Sequence, residues 1–172
     1  MIILDDYNPT WPGRYEQERA AIVQAIGPHI GHIEHIGSTS IPGLAAKPVI
    51  DIGIDLNKYP LPAEAITAME ELGYEHKGEY GIHERHYFRK VSPNFHVHSY
   101  SPGNPEWDAH ILFRDYLRAH PESAVEYEQL KRGLAARHSD VNAYAEDKTD
   151  FVKGTVAKSR EWRMSNEEKR LR

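Results

Sequence analysis

The sequence predicts an α+β fold, a small mixed β-sheet flanked by helices and followed by an α-helical C-terminal half. Two patterns carry this expectation. Short apolar runs with a period of two cluster before residue 104, and helix-period stripes fill nearly everything after Pro102-Gly103. The size agrees: 172 residues, 40% hydrophobic and 27% charged, suit one folded domain with a real core. The expected organisation is an α/β core over 1–104, a helical part over 105–162 and a basic tail over 163–172.

The first helix is expected over 12–26, with Tyr15, Ala21, Ile22 and Ile26 on one stripe and Gly27-Pro28 ending it. A strand over 30–36 stops at Gly37-Ser38-Thr39-Ser40. Residues 48–55 alternate apolar with small or acidic side chains, which predicts a strand with Asp51, Gly53 and Asp55 on one face. A helix over 63–72 is closed by Gly73. Strands follow over 74–77, 85–90 and 94–100, the last two joined by a turn at Ser92-Pro93-Asn94. The helical half reads as 106–118, then 121–137 with Pro121 in its first turn, then one last helix over 141–162.

Composition narrows the function classes. Cysteine is absent, so neither a disulfide framework nor a thiolate metal site is available, and a cytoplasmic location is expected. Met1-Ile2-Ile3-Leu4 runs straight into Asp5-Asp6, unlike a secretory leader, and no apolar run is long enough for a membrane span. The net charge of −5 argues against a broad nucleic-acid surface, although residues 158–172 carry six Lys/Arg against three Asp/Glu.

The most informative stretch runs from His35 to Asp51. A strand ends at Gly37-Ser38, a polar turn follows, and the next strand presents an acid. Glycine lets backbone approach a ligand closely, and turn N–H groups with the hydroxyls of Ser38, Thr39 and Ser40 suit a phosphate. Lys47 adds a point charge, and Asp51 is the hard oxygen ligand that Mg²⁺ prefers. The plain alternative is a structural turn between two strands. His96 and His98, two apart on a strand, share a face and with Asp51 would make a mixed nitrogen and oxygen site, while simple hydrogen bonding explains them equally.

The phrase HIGSTSIPGLAAKPVIDI, followed in order by Phe95-His96-Val97-His98, by residues 113–118, by 127–131 and by 144–148, resembles the signature of the GrpB family. The resemblance covers nearly the whole chain. It implies a nucleotidyltransferase-like mixed sheet, a Gly-Ser turn holding nucleotide phosphates, and an Asp-x-Asp or Asp-x-Glu pair on the next strand with a third carboxylate binding two metal ions. Gly37-Ser38 matches the turn and Asp51, the expected catalytic group, matches the first carboxylate. Gly53 stands where the second belongs. Asp55 is no substitute, since residues four apart on a strand are separated by ~13 Å rather than ~6.6 Å.

The helical half adds cations. Lys148 falls on a stripe with Tyr144, Phe151 and Thr155, and Lys131 on one with Tyr127 and Leu134. Either these lysines snorkel to water or they reach inward to an anion. Arg114 and Arg118, one turn apart, could also reach an anion, with Glu106, Asp108 and Asp115 as ordinary ion-pair partners. Three readings stay open: a nucleotidyltransferase-like enzyme using Mg²⁺ or Mn²⁺, a non-catalytic nucleotide or phosphate-binding module, and a hydrolase holding Zn²⁺ on Asp51, His96 and His98. In each the partner is a nucleotide or another phosphorylated small molecule.

Overall fold

The computed structural model describes residues 2–171. Helix α1 (Trp11–Ile26) has proline in its first turn, where the missing N–H has no helical partner to lose. Its buried side is Trp11, Tyr15, Ile22 and Ile26. Strand β1 (Ile30–Ile36) leads through a 3₁₀ turn at Ser38–Ser40 and a loop into β2 (Ile50–Leu56). Helix α2 (Ala63–Glu71) and strands β3 (Glu75–His76), β4 (Arg85–Lys90) and β5 (Phe95–Tyr100) complete the first part. Four helices follow: α3 (Pro105–Ala119), α4 (Pro121–Arg137), α5 (Val141–Asp147) and α6 (Thr149–Arg170).

The five strands form one mixed sheet in the order β1-β2-β5-β4-β3. Only the β2–β5 pair is parallel. The period of two in β2 and β5 divides the molecule into layers. Ile50, Ile52, Ile54, Leu56, Phe95 and Val97 turn to one face, where α1 and α2 bury them in the main core. Asp51 and Gly53 turn to the other, opposite His96 and His98 in the pairing register. There α3 packs on β1 and β2, with α6 packed against α3. A second apolar cluster, with Leu112, Phe113, Leu117, Tyr127 and Val156, joins these helices to Ile41 and Leu44.

The mixed sheet and helical C-terminal half agree with the sequence reading, with three differences in detail. The strand expected over 74–77 pairs only at Glu75 and His76. Tyr74 is drawn into the core instead, edge-on to Phe88 at 6.4 Å. The single last helix is two, broken at Lys148, which keeps helical dihedrals and stacks its ammonium on Tyr144. The expected tail is the end of α6 as far as Arg170, with Arg172 outside the described residues.

The Asn104 side chain accepts the Glu106 N–H at 3.0 Å, starting α3 with a proper N-cap, and donates to the His83 carbonyl at 3.0 Å. This one amide therefore fixes the angle at which α3 leaves the sheet and crosses Asp51. In the opposite layer Ile52 is fully buried. Ile52→Ala should lower unfolding free energy by about 2–5 kcal/mol, read from the urea midpoint at unchanged slope.

Candidate functional site

Gly37 begins the site at the end of β1, with φ at 72°. A Cβ there would stand 2.6 Å from Asp51 Oδ2. The residue is glycine for two reasons at once, its left-handed backbone and the carboxylate pressed against it. The turn beyond is tied down internally. The Ser40 hydroxyl donates to the Gly37 carbonyl at 2.5 Å, and the Thr39 hydroxyl meets His35 Nε2 at 2.9 Å. His35 stacks on Tyr15 with ring centres 4.9 Å apart, and burial pushes its pKa down to about 4, so it is a neutral partner.

Helices α3 and α4 brace the same loop from outside. Arg114 donates to the Glu34 carboxylate at 2.6 Å and to the His35 carbonyl at 3.1 Å, and Arg118 donates to the Ser40 carbonyl at 2.9 Å. Glu128 accepts the Ala45 N–H at 3.0 Å while Lys131 donates to the Ala45 carbonyl. Both polar groups of residue 45 are thus satisfied by side chains one turn apart on α4.

Asp51 is set by its neighbours on β4 and β5. Arg85 donates to the Glu79 and Tyr80 carbonyls and lies 3.3 Å from His98 Nδ1. A guanidinium only donates, so Nδ1 accepts and the proton sits on Nε2. That N–H points at Asp51 Oδ1, 3.1 Å away, with His96 Nδ1 3.7 Å from the same oxygen. Burial alone would raise the Asp51 pKa. The His98 hydrogen bond and the fields of His98, His96 and His110 outweigh it and hold the carboxyl below its usual range.

The second carboxylate position is filled by other atoms. A Cβ on Gly53 would lie 3.1 Å from the Trp107 ring and 3.1 Å from an Ile36 methyl. Trp107, one turn into α3, has taken the space that an Asp-x-Asp pair needs. Asp55 turns to His32, 3.5 Å away, and does not reach the cavity.

In front of the turn lies a cavity of about 300 Å³. Gly37, Ser38 and Thr39 form one wall with Asp51 and His96, and the loop at Ala46 to Val49 and the C-terminal helices form the rest. Lys47, Lys131 and Lys148 all reach it, and none makes a salt bridge among the described residues. Aromatic faces carry them instead: Lys131 Nζ lies 4.8 Å from the Tyr127 ring centre, and Lys148 and Lys47 lie 4.3 Å and 5.5 Å from that of Tyr144. Burial, reinforced by Lys148, pushes the Lys131 pKa down to about 7, and burial with Lys47 nearby pushes Lys148 to about 8.

The fold therefore gathers Gly37, Ser38, Thr39, Lys47, Asp51, His96, Lys131 and Lys148 at one cavity. It does not bring Ser40 or Arg114 to the wall. The Ser40 hydroxyl is spent on the turn, and Arg114 is buried against Glu34 and Asp115. His98 acts on the cavity only through Asp51. Snorkelling fails for Lys131, which is 2% exposed. Sequence reasoning missed His110, a half-buried histidine on the cavity wall whose pKa desolvation lowers to about 4. Its place among Trp107, Phe113 and Arg114 on the inner face of α3 was the available signal.

Two outcomes follow from this geometry. Gly53→Asp, which completes the acidic pair on paper, should cost about 1–3 kcal/mol through overpacking, measured by chemical denaturation. A lysine whose folded pKa is depressed binds fewer protons folded than unfolded above that pKa, so stability rises with pH from about 7 upward. Between pH 7 and 9 the melting temperature of ligand-free protein should climb, and Lys131→Met should flatten that climb.

Comparison with known proteins agrees with the fold. The family described as "GrpB protein" matches residues 1–158. YqkA of Bacillus subtilis is 42% identical over 160 residues, which cover 91% of this chain and 47% of YqkA, so the chain spans about half the length of that relative. The glutamate-rich protein GrpB of Alkalihalophilus pseudofirmus is 31% identical over 88% of this chain and 91% of its own. The crystal structure of GrpB from Enterococcus faecalis superposes with a TM-score of 0.81 at 35% identity, covering 91% of this chain and 96% of that one. Matched by the family over residues 1–158 and by relatives and a solved structure along nearly the full length, this chain belongs to the GrpB family.

Proposed function

We propose that the cavity binds a phosphorylated small molecule, a nucleotide foremost, together with one divalent cation on Asp51, in a nucleotidyltransferase-like site. The observation that carries this reading is the set of three lysines facing one small cavity without a salt bridge among the described residues. Leaving ammonium groups half-desolvated is costly unless an anion repays it. A phosphoryl group does so with several oxygens at once. Ser38, Thr39 and the N–H groups of their turn supply neutral donors on the opposite side.

The donors present suit a hard ion. Mg²⁺ and Mn²⁺ are held by one or two carboxylates plus substrate phosphates, and Asp51 beside a phosphate-binding turn fits that pattern. The ion, when bound, would neutralise phosphate charge. Among the described residues no three His, Asp or Glu side chains are spaced as a ready-made cage. A zinc site on Asp51, His96 and His98 would further require His98 to surrender the N–H bond that Arg85 enforces. The chain's own groups have clear tasks. Lys131 and Lys148 balance charge on the phosphates, Phe113 limits water, and His98 orients the Asp51 carboxylate. Gly53 favours a single-ion site, and with it the alternative that the pocket binds without catalysing transfer.

Calorimetry with ATP, GTP, CTP and UTP, in Mg²⁺, Mn²⁺ or chelator, tests the proposal. Binding should need the ion and be lost in Asp51→Ala. Lys131→Met and Lys148→Met should each weaken it by about 10–100-fold, the loss of one charge-assisted hydrogen bond worth roughly 1.5–3 kcal/mol. No binding under any condition overturns the proposal. Because the anion stabilises charged lysines, complex formation at pH 8 should take up protons. Binding enthalpies in buffers of different ionisation heat would show this, and the uptake should shrink in Lys131→Met.

A further inference from the structure

A second groove opens from the first cavity. Glu106, Ala109, Tyr127, Lys148, Val152 and Val156 line both, so the two share a wall rather than lying on separate faces. The groove adds about 550 Å³ and runs along α6 to Lys153 and Arg160. Lys148, Val152, Val156 and Arg160 follow one another at intervals of four, which keeps them on one helix face. Twelve residues at ~1.5 Å rise place Lys148 and Arg160 roughly 18 Å apart along the axis. The middle of the groove is apolar, with Val152, Val156, Ala109 and Ala157.

Charge is distributed unevenly in this groove. Lys148, Lys153 and Arg160 stand against a single carboxylate, Glu106. Lys153 and Arg160 are exposed and make no salt bridge among the described residues, whereas Arg163, one turn further, is paired with Asp108 at 3.4 Å. Lys158, Lys169 and Arg170 of α6 are exposed too, but Lys153 and Arg160 are the ones that line the groove.

We infer that the ligand is bipartite, with one phosphoryl group among Lys47, Lys131 and Lys148, an apolar midsection along Val152 and Val156, and a second anionic group held by Lys153 and Arg160. This rests on the proposed phosphate reading of the inner cavity and adds the class of molecule: elongated, anionic at both ends and too long to be a single nucleoside monophosphate. Lys148 is the junction, facing both compartments. The inner end provides depth and desolvation, and the outer end selects for length.

A ruler of α,ω-alkanediol bisphosphates, each compared with the alkyl monophosphate of equal chain length and with inorganic pyrophosphate, tests this on the full chain by calorimetry with Mn²⁺ present. One bisphosphate length should bind at least about tenfold more tightly than its monophosphate, as expected for a second charge-assisted contact. The double variant Lys153→Ala, Arg160→Ala should erase that gain while leaving pyrophosphate and monophosphate affinity unchanged. No gain at any length, or a gain that survives in the double variant, overturns the bipartite ligand and leaves the inner phosphate site standing. Failure of the wild-type protein to bind pyrophosphate or any monophosphate overturns the underlying reading and this inference with it.

Discussion

Removing lysine ammonium groups from water without giving them carboxylates is the constraint around which the helical half is arranged. Lys131 is almost wholly buried, yet its contacts are a carbonyl and an aromatic face. Neither neutralises its charge. Tyr127 and Tyr144 soften the penalty and hold the lysines in place, and the α5–α6 break at Lys148 keeps a third cation within reach of the same space. A core assembled for stability alone would place leucines at these positions, since a buried unpaired charge costs several kcal/mol. The anion proposed for the cavity would supply the missing countercharge.

Two glycines show how tightly the sheet side is built. Gly37 admits the Asp51 carboxylate by having no side chain, and Gly53 admits Trp107 for the same reason. The first brings an acid against the phosphate-type turn, and the second removes the place for another acid. Of the turn and acid pair expected from the sequence, the turn and the first carboxylate are present, and Gly53 with Trp107 over it stands at the second position. Arg85 and His98 now steady the carboxylate that remains. Fold likeness alone does not decide what chemistry such a site performs.

Much of this was legible in the residues. Alternation over 48–55 named the two faces of β2 (Ile50–Leu56), because the period of two follows from backbone geometry. The lysines at 131 and 148 stood out because a cation in an apolar stripe is costly wherever it points. Less visible were properties that depend on a partner far along the chain. For Arg114 the sequence offers Asp115 as a partner, but Glu34 comes within 2.6 Å only when α3 is laid across β1. Trp107 gives no hint that its ring will fill the space over Gly53, since no local pattern couples residues so distant. Tyr74 looked like strand until Phe88 drew it inward.

The bracing of the loop by α3 and α4 also bears on how the molecule assembles. Ala45 has its N–H and its carbonyl held by Glu128 and Lys131, more than eighty residues further along the chain. Contacts of such long separation pay their loop-closure entropy before they return any energy, so they form late. The β4–β5 hairpin and individual helices can be in place while the loop is still unbraced and the cavity open to water. On a growing chain, the sheet has all its strands before α4 exists, and the turn that begins at Gly37 waits for a helix not yet synthesised. The cavity is thus completed only by the helical half, and a nascent chain stopped at the end of β5 carries Asp51 and Lys47 with neither Lys131 nor Lys148 to face them.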